Sequence, residues 1–285
     1  MQSKRRSGKI VDSLVRPRPK NIIKVGKLMI YNVIPVDMAA LKHYIDHADG
    51  RKLVFACQIY GFANTEQFGW GMYPQEFHRS DNGRVTGVTN SLQNVDRDIR
   101  EAALNGYYDY DVSNCHFAIL EQVGDYPTIR DYVENTKPRR NQIAKDIGAD
   151  YEDVKRCLIA MLYGANRGKN EYKCAIAGYL GRDKVGMFWD HPYVVDLYAE
   201  CKAAARKLLG VDKIDFKQLS YELTTIESKI LEDVTEGTII HVPYFDGWVS
   251  DLPYDCRELE RLIEERHGIR TTIKCRKIDY WAQFE

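Results

Sequence analysis

Tyr107-Tyr108-Asp109-Tyr110-Asp111-Val112-Ser113-Asn114-Cys115-His116-Phe117-Ala118-Ile119-Leu120 is the stretch on which the reading of this chain turns. It begins with strand alternation. Tyr108, Tyr110 and Val112 share one face and Asp109 and Asp111 the other, because successive side chains of a strand point to opposite sides. From Phe117 to Leu120 the spacing becomes helical. Two carboxylates therefore stand at the end of a strand beside the start of a helix. Like charges this close disfavour each other unless a cation lies between them, and a divalent metal is a natural partner. The plainer alternative is a half-buried strand whose acids face solvent.

Two features further along bear on that choice. Tyr151 to Tyr163 has an apolar stripe of Val154, Leu158, Met161 and Leu162 and stops at Gly164, which predicts a helix. It carries Lys155 and, eight residues on, Tyr163. Eight helical residues rise about 12 Å, roughly the length of a nucleoside triphosphate, and leave both side chains on broadly one face. A lysine at one end suits phosphate oxygens, and an aromatic ring at the other suits a base or sugar. An ordinary amphipathic helix would look the same. The second feature is a β run from Thr238 to Phe245, turned by Asp246-Gly247 and returning through Trp248-Val249-Ser250. Asp-Gly between apolar runs signals a hairpin, with the Asp246 carboxylate at its tip. Acids from two strands can hold two Mg²⁺ or Mn²⁺ ions, one activating a 3′-hydroxyl and the other stabilising a leaving pyrophosphate.

The remaining pattern frames these positions. Asp37 to His47 reads as a helix capped by Asp37, with His43 and His47 four apart on a surface helix. Asp96 to Leu104 reads as a helix ending at Gly106. Further helices are predicted over 170–180, 192–209, 216–234 and 255–267, and a last strand from Arg270 to Tyr280. The aromatic-rich stretch 51–80 shows no clear period. Equal numbers of basic and acidic residues, 41 each, exclude a global charge bias toward nucleic acid. Residues 1–27, however, hold nine Lys or Arg against one acid, so the N-terminus is either a phosphate-tracking arm or a solubilising tail. Seven scattered cysteines without a Cys-x-x-Cys pair point to a reducing, cytoplasmic setting rather than a disulfide scaffold or zinc knuckle. No apolar run reaches membrane-spanning length, and no secretory h-region follows the basic N-terminus.

The order and spacing of these motifs resemble the family A DNA polymerases and, more distantly, the single-subunit RNA polymerases of phages and mitochondria. Gly83-Arg84, Asn90-Ser91-Leu92-Gln93-Asn94-Val95, Arg97 and Arg100 look like that family's Gly-Arg … Asn-Leu-Gln-Asn … Arg segment. There the Arg and Gln contact the primer–template minor groove. Asp111-Val112-Ser113 is similar to motif A. Lys155 with Tyr163-Gly164 matches motif B, and Lys155-Arg156 is especially like the RNA polymerase version. Phe245-Asp246-Gly247 matches motif C. The resemblance covers roughly residues 80 to 250.

The resemblance implies an α+β palm with a small antiparallel sheet and reduced helical fingers. Its expected segments are a basic arm (1–27), an N-terminal helical and aromatic region with the first part of the palm (28–135), fingers (136–210), and the rest of the palm (211–285). It implies template-directed nucleotidyl transfer on a nucleic-acid template and primer or nascent strand, with dNTPs or NTPs and two metal ions on Asp111 and Asp246. Asp109 is a helper ligand. Lys155 holds the triphosphate; Tyr163, Gly164 and His116 form the nucleotide site; Arg84, Gln93, Asn94 and Arg97 hold nucleic acid. A helicase or other replication proteins are expected partners, and a phage or mobile-element protein in a bacterial host is the expected setting. Fewer than 85 residues precede Gly83, which leaves little room for a thumb and none for a proofreading exonuclease. A short-product polymerase or primase fits that length.

Three departures stand out. Tyr151 occupies the place of motif B's leading Arg, four residues before Lys155, and Arg139, Arg140 and Arg167 are the candidates to replace it. Gly247 follows Asp246 where the family has a second acid or a Ser. His116 stands where DNA polymerases carry a Glu that excludes a 2′-hydroxyl, so its imidazole either hydrogen-bonds a ribose or packs in the core. The altered motifs also fit an alternative, a catalytically degenerate palm that binds nucleic acid as a replication factor.

Overall fold

The computed structural model describes residues 23–25, 29–63, 69–88, 90–236 and 240–284. Of the arm assigned to residues 1–27, only β1 (Ile23–Val25) lies among them, and it is a strand rather than an extension. The arm's other positions, including Lys4 to Lys20, lie outside the described residues.

β1 pairs antiparallel with β2 (Met29–Asp37). Asp37 ends that strand and starts α1 (Met38–His47), its carboxylate accepting from Ala40 N at 2.9 Å, which is the expected cap. The stretch without a clear period divides into α2 (Gly50–Phe62) and β3 (Trp70–Arg79). In β3, Tyr73, Gln75 and Phe77 turn inward while Pro74, Glu76 and His78 face out. Gln75 interrupts the apolar alternation that would have marked the strand. β4 (Val85–Gly87) completes a sheet of order β1-β2-β3-β4.

α3 (Arg97–Ala103) then leads into β5 (Tyr108–Val112) and α4 (Cys115–Glu121), the strand-to-helix change expected from the opening stretch. Seven helices follow as far as residue 234. They are α5 (Pro127–Glu134), α6 (Thr136–Ile147), α7 (Tyr151–Leu162), α8 (Ala175–Leu180), α9 (Arg182–Asp190), α10 (Pro192–Leu209) and α11 (Phe216–Val234). The chain returns through β6 (Val242–Pro243), β7 (Gly247–Ser250), α12 (Cys256–His267) and β8 (Ile273–Lys277). These strands join β5 in a second antiparallel sheet of order β6-β7-β5-β8. The fold is α+β with small antiparallel sheets. Among the described residues no helix is long and apolar enough to cross a membrane.

Three elements are shorter than expected. Asn170 accepts from Tyr172 N at 3.0 Å, a local turn that competes with helix, so α8 begins only at Ala175. In the hairpin, strand pairing covers only Val242–Pro243, with His241 N and Tyr244 N donating to the Val249 and Gly247 carbonyls on either side. Thr238 and Ile239 lie outside the described residues. The last strand starts at Ile273, whose N–H is taken by Glu260 Oε1 at 2.8 Å.

β5 and β7 lie between two cores. Tyr110, Val112 and Trp248 face the helical core, where the Tyr110 and Trp248 rings stack at 4.9 Å. Tyr107, Val242 and Val249 belong to the core shared with the first sheet. Burial of each such large side chain contributes about 1.5–3 kcal/mol, so the strand carrying the acids is anchored from both sides.

Candidate active site

Strand register brings the two acids together. Asp111 lies opposite Gly247 in the β5–β7 pairing, and Val112 N donates to the Asp246 carbonyl at 2.7 Å. The approach is tight: a Cβ on Gly247 would lie 1.9 Å from the Tyr110 carbonyl oxygen. Glycine is therefore required after Asp246, and the second acid of the family pattern has no room there.

A cavity of about 340 Å³ opens over the pair. Its cationic wall combines three elements. Lys274 of β8 sits directly opposite Asp111 in register. The first turns of α6 bring Lys137 and Arg140, and α7 brings Lys155. The Arg140 guanidinium is buried and fixed, with Nε donating to the Tyr132 hydroxyl at 2.8 Å and Nη2 to Asn114 Oδ1 at 2.6 Å. Asn114 holds that position at the β5–α4 junction with φ 51°, a left-handed conformation that asparagine tolerates better than most residues. Arg140 also lies 5.9 Å from the ring of Tyr151. Of the three arginines considered for the lost phosphate contact, Arg140 is the one on the cavity wall. Arg139 is paired with Asp131 at 2.6 Å, and Arg167 lies over Trp189 at 4.9 Å.

At the other end stand Arg84, His116, Tyr163, Glu227 and Phe245. Tyr163 follows the last turn of α7, and Gly164 adopts φ +78° with its Cβ position 2.4 Å from the Phe216 ring. Both the backbone angle and the contact demand glycine. His116 is in the cavity wall. Its Nδ1 contacts the Tyr163 hydroxyl, and its Nε2 lies 3.1 Å from Glu227 Oε1. Arg84 donates to Glu227 Oε2 at 2.8 Å, and its guanidinium covers the Phe245 ring at 4.5 Å.

The acids are electrostatically strained. Burial raises the Asp111 carboxyl above its usual range; Lys274 and Lys155 oppose that, and Asp109 adds to it. Asp246 is pushed up to about 6 by burial first, then by the charges of Asp111 and Glu227. Both side chains still reach solvent through the cavity mouth, so screening reduces the energy involved. Among the described residues there is no cluster of three or more His, Cys, Asp or Glu set to hold a metal. Two adjacent carboxylates that Lys274 and Lys155 only partly offset nevertheless suit Mg²⁺, which is commonly held by one or two carboxylates with water and substrate phosphates completing the shell.

The other expected residues lie elsewhere. Asp109 faces Arg276 across β8, with an Nη2–Oδ2 distance of 3.2 Å, and does not line the cavity. Gln93 is interior: its carboxamide accepts from Gly87 N at 2.5 Å and donates to the Val85 and Pro243 carbonyls at 3.0 and 2.7 Å. Asn94 donates to the Gly87 carbonyl at 2.9 Å. Arg97 is exposed and paired with Glu101 at 2.7 Å. Of the four residues expected to touch nucleic acid, Arg84 alone lines the cavity. Glu227 is the residue that sequence reasoning missed. Its signal was present, since it lies four after Leu223 and three before Ile230 on the buried stripe of α11, and a buried acid requires a partner.

A solved structure similar to this chain is the POL domain of Pol1 from M. smegmatis, in complex with DNA primer-template and dNTP. The match has a TM-score of 0.54 and 12% sequence identity, and covers 82% of this chain and 52% of that one. This chain thus spans about half the length of that structure, and the likeness shows a polymerase-like fold. No family model matches the sequence, and no curated protein matches it either.

Proposed function

We propose that this protein is a template-directed nucleotidyltransferase, a short-product DNA polymerase or primase, with its reaction centre at Asp111 and Asp246. The observation that carries the reading is convergence. Asp111, Asp246, Lys155 and Tyr163, picked from three separate sequence motifs, line one cavity together with a buried arginine. Two divalent ions bound by Asp111 and Asp246 would supply activation of a 3′-hydroxyl and neutralisation of the leaving pyrophosphate.

The residues of the chain do the rest. Lys155, Lys137 and Arg140 bind the triphosphate along the cationic wall. Arg140 presents a fixed planar fork, because Tyr132 and Asn114 already hold its orientation. It takes the place left by Tyr151. Lys155 is half exposed, with Glu152 at 3.8 Å as its acidic neighbour, so it is available to donate a proton to the departing pyrophosphate. Tyr163 offers a ring to the base and sugar, and Arg84 faces the end of the growing strand. The M. smegmatis domain binds primer-template and dNTP, and its fold likeness supports the same partners here. Helicase partnership and the role of the basic N-terminus belong to the same proposal.

The test is nucleotide incorporation on single-stranded templates, with and without primer, using dNTPs or rNTPs and Mg²⁺ or Mn²⁺. Wild-type protein extends or initiates chains, while Asp111→Asn and Asp246→Asn do not. Salt-dependent binding without incorporation under every condition would replace this reading with that of a non-catalytic nucleic-acid-binding palm.

A further inference from the structure

Glu227 is assigned no part in nucleotidyl transfer above, yet it organises one end of the cavity. Its side chain is 4% exposed. One oxygen takes Arg84 Nη2 at 2.8 Å and the other faces His116 Nε2 at 3.1 Å. His116 in turn meets the Tyr163 hydroxyl through Nδ1. A continuous polar chain therefore runs from Arg84 through Glu227 and His116 to Tyr163, and all four residues line the cavity.

The hydrogen inventory of this chain is informative. A carboxylate only accepts, so a proton on the buried His116 Nε2 is the arrangement that Glu227, 3.1 Å away, favours. In the neutral ring Nδ1 then accepts from the Tyr163 hydroxyl, and in the charged ring it donates to it. Either way Nδ1 is engaged by Tyr163, and Nε2 is buried against the Glu227 carboxylate at 3.1 Å, out of reach of the cavity. The imidazole, its side chain 13% exposed, presents closed polar atoms to the cavity. A sugar hydroxyl pressed against it would lose water and gain no partner.

We propose that Glu227 is a positioning residue that makes this site select deoxyribonucleotides, by holding His116 against Tyr163 so that neither ring nitrogen can receive a 2′-hydroxyl. The carboxylate that shapes sugar choice thus comes from α11 and acts through His116. This inference rests on the nucleotidyl-transfer reading. A desolvated, unpartnered hydroxyl should be disfavoured by roughly 10- to 100-fold.

The test compares kcat/KM for a dNTP and the rNTP of the same base, on the same primed template. It uses wild type, Glu227→Gln, Glu227→Ala, His116→Ala and the Glu227→Ala/His116→Ala double variant, with thermal melts confirming that each is folded. Wild type should favour the dNTP. Glu227→Ala should lower discrimination by about tenfold or more, and Glu227→Gln, which keeps shape and one acceptor, by less. The double variant should match His116→Ala, because one residue acts through the other. If Glu227→Ala does not fold, Glu227→Gln and His116→Ala carry the comparison. Unchanged discrimination in folded Glu227 variants, additive losses in the double variant, or a wild type that prefers rNTPs would each overturn the inference while leaving nucleotidyl transfer intact. A wild type that incorporates neither nucleotide overturns both.

Discussion

Asp246→Asn should make the metal-free protein more stable and catalytically dead at once. Asp246 adjoins Gly247, the register partner of Asp111, so the two carboxylates are treated as charges on the order of 5 Å apart. Coulomb's law gives about 0.8 kcal/mol at the dielectric of water and about 3 kcal/mol at an effective value of 20. Both groups reach solvent, so the lower end applies, about 1 kcal/mol. For a chain of this size that is a rise of roughly 2–4 °C in Tm. The dependence on pH has a definite sign. Folded Asp246 holds its proton up to about 6 against an ordinary 3.8, so the folded state binds that proton more tightly than the unfolded chain. The stabilisation is full below the ordinary value and lost as pH rises through about 6. Thermal melts in chelator should therefore decline for wild type across that window, and less so for Asp246→Asn. Adding Mg²⁺ should raise the wild-type Tm at neutral pH and leave the variant unmoved. A variant that melts lower than wild type in chelator, or a wild type indifferent to Mg²⁺, would refute the view that these acids are held in mutual repulsion for a metal.

Other positions give separate readouts. Arg140→Ala should raise KM for the incoming triphosphate about 10- to 100-fold in steady-state incorporation, and Arg140→Lys should not restore it, because a lysine lacks the bidentate fork. Gly247→Ala places a Cβ 1.9 Å from the Tyr110 carbonyl oxygen, so denaturant melts should show a loss of about 3 kcal/mol or more, or no folded protein. Gln93→Ala strips three internal hydrogen bonds from buried or part-buried groups. It should cost about 2–4 kcal/mol in the same melts while leaving the salt slope of nucleic-acid binding unchanged; the opposite result, a changed slope at full stability, would restore Gln93 to the nucleic-acid surface.

The positions legible in the sequence were those where backbone and chemistry constrain the same residue. Asp111 sits where the period changes from strand to helix, and Asp246 precedes a glycine that only a close hairpin needs. Gly164 both stops a helix and makes room for Phe216. Such residues announce themselves locally. Gln93 and Asp109 could not be placed this way, because their roles depend on what packs beside them. Gln93 lies within a turn and meets Pro243 from the far hairpin, and Asp109 meets Arg276 from the last strand. Spacing along the chain carries no record of either partner. The strand β3 stayed hidden for a related reason: it buries Gln75, whose oxygen accepts from Leu92 N at 2.8 Å and from the Ser91 hydroxyl at 3.1 Å, so its inward face does not read as apolar.

The two departures in the motifs acquire a common physical account. Under the proposed reading, Tyr151 stands where the resembled family has an arginine, and His116 where it has an acid. In three dimensions a guanidinium from α6 reaches the cavity wall beside Tyr151, and a carboxylate from α11 stands behind His116. A cavity imposes charge at points in space, and any element whose side chain reaches those points can meet the demand. Arg140 and Glu227 each have the buried setting and fixed partners that such a role requires. Motif C differs in kind. There Gly247 is held by its contact with the Tyr110 backbone, so a second acid cannot be recovered at that position, and the neighbouring carboxylate of Glu227 is already engaged by Arg84. Charge can migrate between elements because a side chain spans several ångströms, whereas a backbone contact of this kind leaves the sequence no such freedom.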